Sequence, residues 1–164
     1  VRAETPDDVA AIHAVTVAAF EHAPHSDHTE QFIVDGLRAA GALAISLVAE
    51  ADGAVVGHVA VSPVSISGRF CGWFGLGPIS VSPALQGLGI GSALMREALR
   101  LLRERGAAGC VLLGDPGYYS RFGFKAETGL VLQDVAAEYF QTISFSGPIP
   151  HGLVLYHEAF STQG

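Results

Sequence analysis

The sequence predicts one α/β domain with a mixed sheet, on the strength of three observations. An Asp-Gly pair at residues 52–53 separates two apolar runs, which is typical of an antiparallel hairpin. An apolar strand at 75–81, a helix-forming stretch at 89–105 and a second apolar strand at 109–113 follow in order, and such a crossover makes its two strands parallel. The 164 residues are 49% hydrophobic and only 15% charged, which indicates a packed core and a single domain over the whole chain, residues 1–164.

Two helices are expected before the hairpin. Thr5 is suited to cap the first of them, with Pro6 at its first position, and apolar residues then recur at helical spacing. Residues 29–40 form the second predicted helix. The two hairpin strands are then expected at 43–50 and 55–63.

The helix predicted at 89–105 has the clearest pattern in the chain. Its charged face lies opposite an apolar face made of Ile90, Leu94, Ala98, Leu101 and Leu102. After the following strand, Asp115 is expected to cap a short helix that ends near Phe122. The tail should add strands near 130–132 and 152–157.

Composition argues against several classes of protein. Nine basic residues against sixteen acidic ones give a net charge of −7, which disfavours a nucleic-acid partner. No apolar run approaches the roughly 20 residues of a membrane span, and the polar residues 1–6 do not resemble a signal peptide. Cys71 and Cys110 lie in apolar stretches without Cys-x-x-Cys spacing, so we expect buried, reduced thiols in a cytoplasmic protein.

A glycine-rich stretch follows the strand that ends at Val81. Gly87, Gly89 and Gly91 allow close approach of the backbone. The helix that begins there points its free N–H groups and positive dipole end into the loop, which favours an anion such as phosphate. A nucleotide P-loop would need a lysine after the glycines, and a dinucleotide fingerprint would need glycine in place of Ser92. A glycine-rich turn without a ligand is the alternative.

Two motifs together resemble those of the GNAT (Gcn5-related) N-acetyltransferases. Gln86-x-x-Gly89-x-Gly91 is similar to the acetyl-CoA signature of that family, and residues 118–124 are similar to its terminal tyrosine followed by Gly-Phe. Strings that resemble a subgroup of predicted bacterial acetyltransferases are GLGP at 75–78, LGDPGYY at 113–119 and YHEAF at 156–160. The resemblance implies a GNAT-like α/β (α+β) fold, with a mixed, mostly antiparallel central sheet, a splayed parallel strand pair and flanking helices.

The resemblance also implies acetyl-CoA as cosubstrate, with no metal, and assigns the residues that bind it. The pyrophosphate would lie on the backbone N–H groups of Gly87, Leu88, Gly89, Ile90, Gly91 and Ser92. Gln86 would help to hold this loop. The pantetheine arm would pair with backbone groups of Ile79, Ser80 and Val81. That pairing requires the strand to part from its parallel neighbour, which a break at Gly77-Pro78 favours, although this dipeptide is also common in simple turns.

Tyr119 is the expected catalytic residue. The implied reaction is direct attack of an amine on the thioester, after which the CoA thiolate, with a pKa of about 8.5, needs a proton. A tyrosine with a pKa of about 10 suits this task, and Tyr119 stands four residues before Gly123, where the family keeps its acid. Tyr118 would point elsewhere on a helix. For either tyrosine the alternative is simple packing in the core.

The group that deprotonates the amine is left open by the sequence. Many relatives carry a glutamate on the splayed strand, and this chain has none between residues 70 and 81. The candidates in the loop between the first two helices are Glu21, His22, His25, Asp27, His28 and Glu30, and a water chain is equally suitable. A metal at the three histidines is not expected, because no carboxylate–histidine motif frames them. His58, on an apolar strand, is expected in the core.

The first hypothesis is therefore an acetyl-CoA-dependent N-acetyltransferase, an enzyme that acts on a primary amine of a small molecule or a peptide. The alternative is a non-catalytic acetyl-CoA-binding regulatory module on the same fold. The missing strand glutamate supports the module, and Tyr119 supports the enzyme. No nucleic-acid or membrane partner is expected, and both a monomer and a homodimer are compatible with the residues.

Overall fold

Ten strands form two sheets in the computed structural model of the protein, which describes residues 1–23 and 26–161. The strands are β1 Arg2–Ala3, β2 Ile45–Ala51, β3 Ala54–Pro63, β4 Ser65–Ile66, β5 Trp73–Val81, β6 Gly109–Leu113, β7 Lys125–Ala126, β8 Leu130–Val131, β9 Phe140–Ser144 and β10 Gly152–Leu155. The larger sheet has the order β1-β2-β3-β5-β6-β9-β7 and is antiparallel except between β5 and β6. The smaller sheet has the order β4-β10-β8. The expected mixed, mostly antiparallel sheet with one parallel pair is confirmed.

Helices cover both faces of the larger sheet. They are α1 Val9–Phe20, α2 Glu30–Ala39, α3 Ile90–Glu104 and α4 Pro116–Tyr119. Short 3₁₀ turns lie at Pro6–Asp8, Pro83–Leu85, Ser120–Phe122, Ala137–Tyr139 and Glu158–Ser161. Leu47 contacts the α3 side of the sheet and Val48 the α1 and α2 side, because successive strand residues point to opposite faces. Within the described ranges, no helix has the length and apolar character needed to cross a membrane.

The main core lies between α3 and the sheet. The buried residues of α3 are Leu94, Met95, Ala98, Leu99 and Leu102. They belong to one cluster with strand residues such as Leu47, Val59 and Leu76. The apolar face predicted for this helix is therefore confirmed, with Ile90 and Leu101 only partly buried at its margins. This packing fixes the start of α3 beside the end of β5.

A second core fills the space between the two sheets. It contains Trp73 of β5, Val111 of β6 and Val154 of β10, all of them buried. The Trp73 ring lies so close to Gly109 that a Cβ added there would be 2.5 Å from Trp73 Cζ2. The start of β5 is thus packed tightly against the start of β6.

β5 and β6 pair over only three residues and then separate. The paired residues are Trp73 with Gly109, Phe74 with Cys110, and Gly75 with Val111. From Leu76 to Val81, β5 is paired with β3 alone. The register of that antiparallel pair shifts opposite Ala60, where Gly77 and Pro78 lie. The separation expected near Gly77-Pro78 is therefore present, and it leaves an open slot between the two parallel strands.

β9 is the longest of the three strands that the sequence pattern did not predict, the others being β4 and β7. It pairs with β6 along its whole length, from Gly109 with Ser144 to Leu113 with Phe140. Phe140 joins the second core, whereas Ile143 joins the main core. Because both faces of β9 are buried, the strand lacks the alternation of apolar and polar residues by which a half-buried strand is recognised.

The two cysteines differ in exposure. Cys110 is buried in the main core as expected, but Cys71 is exposed, so the expectation that both would be buried is wrong. The reason is local: β5 begins only at Trp73, and Cys71 belongs to the turn before it, where Gly72 has a φ of 83°. Both thiols are free.

Candidate active site

The slot between β5 and β6 has two walls that continue into helices. One wall runs from β5 through the glycine-rich loop into α3, and the other runs from β6 into α4. The walls are joined at one end by the three-residue parallel ladder. Both helices begin at the opposite, open end of the slot, because each follows the carboxyl end of its strand. The slot is therefore bordered by backbone groups on one side and by aromatic side chains on the other.

The glycine-rich loop presents free N–H groups at the start of α3. Gly87 and Gly89 have φ values of 82° and 88°, which a residue with a side chain rarely adopts. Ala93 is the first α3 residue whose N–H reaches the carbonyl of Gly89. Among the described residues, the backbone N–H groups of 87–92 have no protein acceptor. These six groups and the helix dipole make the loop suitable for an anion.

Gln86 ties this loop to the strand before it. Its side-chain Nε2 donates a hydrogen bond to the carbonyl oxygen of Val81, at 3.2 Å. The bond spans the Pro83–Leu85 turn between β5 and the loop. The loop-holding role of Gln86 stays a prediction, to which this contact gives a physical basis.

Along the part of β5 expected to face the pantetheine arm, the backbone N–H and C=O groups point alternately towards β3 and towards the slot. Ser82 N–H donates to the carbonyl of Val56 on β3, at 2.8 Å. In an antiparallel ladder every second residue turns its backbone groups towards its partner strand, so the backbone of Ser80 faces β3 and those of Ile79 and Val81 face the slot. The Ser80 side chain lies on the α1 side, where its hydroxyl donates to Thr16 at 3.4 Å.

Tyr119 lies on α4, packed beside the slot. Asp115 begins this helix by accepting a hydrogen bond from Gly117 N–H at 2.9 Å, as expected for a cap. The half-buried Tyr119 ring packs on Gly114 and lies edge-on to Phe124. Its hydroxyl makes no hydrogen bond within the described part of the chain. Burial raises the pKa of Tyr119, and the neighbouring Tyr118 and Asp115 raise it further, so the hydroxyl keeps its proton at neutral pH.

Tyr118 makes a contact that the sequence did not indicate. Its hydroxyl lies 3.2 Å from the Ser92 hydroxyl in the first turn of α3. Arg121 stacks its guanidinium 4.4 Å from the centre of the Tyr118 ring, and its Nε donates to the Tyr118 carbonyl at 2.9 Å. No signal in the sequence indicated the contact between Tyr118 and Ser92. The contact between Tyr118 and Arg121 could have been suggested by their spacing, because residues three apart meet on a helix.

Two arginines place positive charge near the open end of the slot in a chain whose net charge is −7. Arg96 of α3 lies 5.4 Å from the centre of the Phe122 ring, and Arg121 lies over Tyr118. Both side chains are exposed and make no ion pair within the described residues. This arrangement favours a polyanionic ligand at the slot.

The loop between α1 and α2 carries the residues considered for deprotonating the amine. Glu21, His22, Asp27 and His28 are exposed, and Glu30 is held by the Ser26 hydroxyl at 2.7 Å. His25 lies outside the described residues. Over residues 1–23 and 26–161, no group of three or more His, Cys, Asp or Glu side chains could hold a metal ion.

His58 is the buried end of a partly buried polar network, on the face of the sheet covered by α1. Its Nε2 is 2.8 Å from the Ser46 hydroxyl, which donates its proton to the Glu4 carboxylate. Glu4 in turn accepts from Arg38 at 2.9 Å. Because Ser46 gives its only proton to Glu4, the His58 Nε2 must be the donor in their hydrogen bond. Burial lowers the pKa of His58 to about 4, so the ring is neutral near pH 7, in agreement with a core histidine.

Several known proteins match this chain along much of its length. The acetyltransferase (GNAT) domain model matches residues 42–126. The uncharacterized N-acetyltransferase YhbS of Escherichia coli K12 is 35% identical over 98% of this chain and 98% of its own length. A solved GNAT family acetyltransferase from Brucella melitensis, in complex with acetyl-CoA, is 55% identical over 97% of this chain and 96% of its own, with a TM-score of 0.88. The crystal structure of YhbS from Escherichia coli in complex with CoA is 37% identical, covers 99% of this chain and 92% of its own, and has a TM-score of 0.89. The chain therefore belongs to the GNAT family of acetyltransferases.

Proposed function

We propose that this protein transfers the acetyl group of acetyl-CoA to a primary amine by direct attack of the amine on the thioester. The observation that carries the proposal is the early separation of β5 from β6, which share only three paired residues beside a loop of free N–H groups. An open strand edge that leads to an anion site fits a ligand that has an amide arm and a pyrophosphate. The acetyl-CoA and CoA bound to the two solved relatives are such ligands.

The glycine-rich loop and β5 would bind different parts of the cofactor. The N–H groups of Gly87, Leu88, Gly89, Ile90, Gly91 and Ser92 would hold the pyrophosphate, with Gln86 fixing the loop. Ile79 and Val81 would pair with the amides of pantetheine, since their backbone groups face the slot. Ser80 would contribute through its place between them in the strand rather than through its own N–H. Arg96 and Arg121 would add positive charge for the phosphates.

Tyr119 would complete the reaction as the general acid. The amine nitrogen forms a bond to the thioester carbon, and the carbon–sulfur bond breaks with its electron pair on sulfur. The thiolate then takes the hydroxyl proton of Tyr119. The attacking nitrogen gives its surplus proton to water as the amide forms, and that proton returns through water to the Tyr119 phenolate. Burial keeps this hydroxyl protonated, because it raises a pKa that is already above that of the thiol.

The amine must lose a proton before it can attack. An alkylammonium with a pKa of about 10.4 is almost fully protonated near neutral pH. No carboxylate lies on β5, so we infer that the proton leaves through water beside the α1–α2 loop, where Glu21 and Asp27 are exposed. The same negative charges would favour a cationic amine, of a small molecule or of a peptide, as the acceptor.

The cofactor site and its general acid would be complete within one chain, whether the protein is a monomer or a homodimer, because every residue assigned to binding acetyl-CoA or to protonating its thiolate lies within residues 79–122. Residues 1–164 would then act as one catalytic domain. The free thiols of Cys71 and Cys110 accord with the reducing cytoplasm, where acetyl-CoA is available. The non-catalytic module is not favoured, since a relative that matches 98% of this chain, YhbS of Escherichia coli, is named as an uncharacterized N-acetyltransferase.

Thiol release from acetyl-CoA tests the proposed function. Wild-type protein should release CoA in the presence of at least one member of a panel of small amines and lysine-containing peptides. Tyr119→Phe should lower kcat by about 100-fold, the usual contribution of a general acid, and leave the dissociation constant of CoA unchanged. CoA binding without thiol release from any amine would overturn the catalytic proposal. An unchanged kcat in Tyr119→Phe would overturn the role of that residue.

A further inference from the structure

Among the residues that the structure describes, one side-chain hydrogen bond joins the two walls of the slot at its open end. The hydroxyls of Ser92 on α3 and Tyr118 on α4 lie 3.2 Å apart. The Tyr118 hydroxyl also lies 3.6 Å from the position that a Cβ on Gly91 would take. Tyr118 therefore sits against the first turn of α3, in the segment whose backbone N–H groups have no protein acceptor.

The Ser92 hydroxyl has one proton and can donate it to only one partner. A phenol is the stronger acid of the two hydroxyls, so Tyr118 is the better donor in their hydrogen bond. When Tyr118 donates to Ser92 Oγ, the Ser92 proton is free to point into the loop. A hydrogen-bond chain of this kind strengthens each member, which makes Ser92 a better donor to an anion.

Tyr118 is held in this orientation by its neighbours. Its ring lies edge-on to Tyr119, with centroids 4.8 Å apart, and beneath the guanidinium of Arg121. Arg121 is itself fixed by its hydrogen bond to the Tyr118 carbonyl. The phenol is thus in place without a ligand, which removes part of the ordering cost of binding.

We propose that Tyr118 is a positioning residue for acetyl-CoA, whose hydroxyl directs the Ser92 proton towards the cofactor pyrophosphate. This assignment rests on the proposed function and gives the two adjacent tyrosines separate tasks. Tyr118 acts through Ser92 at the pyrophosphate end of the slot, and Tyr119 acts at the thiolate. A substitution at Tyr118 should therefore change cofactor binding, whereas one at Tyr119 should change turnover.

Tyr118→Phe tests the assignment, because it removes the hydroxyl and keeps the ring. We expect the dissociation constant of CoA, measured by calorimetry, and the KM for acetyl-CoA to rise about fivefold, the effect of one neutral hydrogen bond. The value of kcat at saturation should stay unchanged. With S-acetylpantetheine, which ends before the pyrophosphate, kcat/KM should be the same in the variant and the wild type.

Further variants separate this role from a structural one. Ser92→Ala should weaken CoA binding at least as much, and adding Tyr118→Phe to it should cause no further loss. Ser92→Thr, which keeps the hydroxyl, should restore binding. Tyr139→Phe is the matched control, since that tyrosine is 49% exposed and lies outside the slot.

Two results would overturn the assignment. One is unchanged CoA binding in Tyr118→Phe beside normal binding in the wild type, which leaves the proposed function intact. The other is an equal fall in the kcat/KM of Tyr118→Phe with acetyl-CoA and with S-acetylpantetheine, which would mean that the substitution disturbs α4 as a whole. Failure of the wild type to bind CoA would instead overturn the proposed function, and this assignment with it.

Discussion

One added methyl group at position 114 tests whether the place of the Tyr119 ring matters for turnover. A Cβ at Gly114 would lie 2.7 Å from Tyr119 Cδ2 and 3.2 Å from Cζ, and closest of all to Cε2. Gly114 does not have a positive φ, so its backbone suits alanine and the strain falls on the ring. Gly114→Ala should therefore push the Tyr119 side chain out of its present position.

The size of the effect follows from these distances. The optimal van der Waals separation of two non-bonded carbons is about 3.5–4.0 Å, so the Tyr119 ring must shift by roughly 1 Å to relieve the overlap. Overpacking of this kind costs about 1–3 kcal/mol of folding free energy. For a chain of this length that lowers the melting temperature by roughly 3–10 °C. A displacement of about 1 Å in a reacting group can lower turnover about 100-fold.

The assay compares Gly114→Ala with Gly117→Ala in steady-state kinetics, CoA calorimetry and thermal melting. A Cβ at Gly117 would meet only the Asp115 carboxylate, at 3.4 Å from Oδ1 and 3.7 Å from Oδ2, so the control changes the same short segment without touching Tyr119. We expect kcat to fall about 100-fold only in Gly114→Ala, with CoA binding preserved in both. Wild-type turnover in a folded Gly114→Ala protein would refute the reasoning, and so would an equal loss in the control.

Three further predictions concern the core, the loop and the polar network. Leu94→Ala should lower the free energy of unfolding in urea by about 3 kcal/mol, because a fully buried leucine leaves a cavity. Val131→Ala, at a position that is 56% exposed, should change it by less than about 0.5 kcal/mol, and similar losses in both would contradict the packing described. Gln86→Ala should raise the KM for acetyl-CoA about threefold at unchanged kcat, since it removes the hydrogen bond to the Val81 carbonyl; an effect on kcat alone would count against a loop-holding role. The pKa of His58 is lowered to about 4 in the folded state from a usual value of 6.5, so unfolding takes up a proton between these values. The free energy of unfolding should therefore fall by about 3 kcal/mol as the pH drops from 6.5 to 4. If His58→Gln shows the same pH dependence of this free energy, His58 is not its cause.

The elements that the sequence predicted well are those with strong local signals. α3 follows the expected 3.6-residue pattern and ends before Gly106, whose φ is 79°. The hairpin turn carries the positive φ values of 53° at Asp52 and 78° at Gly53 that its Asp-Gly signal requires. In each case the residues that decide the conformation are neighbours in the chain.

β9 and the short strands of the smaller sheet depend on distant partners instead. Phe140–Ser144 becomes a strand because it completes the sheet beside β6, about 30 residues earlier in the chain. β4 and β8 have only two residues each and are held by β10. β4 and β9 have too little local pattern to be recognised from their residues alone, whereas β8 and β10 lie where strands were predicted, near 130–132 and 152–157.

In the candidate site, too, some features follow from local motifs and others depend on distant residues. The loop around Gln86, the glycines and the residue type of Tyr119 could be read from local motifs. The contact between Tyr118 and Ser92, the charges of Arg96 and Arg121, and the network of His58 could not, because each joins residues that are far apart in sequence or depends on which face of an element is covered.

The sequence by itself determined the chemistry of each wall of the slot: glycines that allow a loop with free N–H groups, a helix that follows it, and a tyrosine beside Gly114. Only the tertiary structure decided that these walls face each other across an opening. β5 leaves β6 after Gly75 because Trp73 and the second core hold one end of the pair together, while Gly77 and Pro78 shift the register of the other end against β3. The break at Gly77-Pro78 is a local signal, but the opening of the slot also depends on long-range packing around Trp73, which no local pattern encodes.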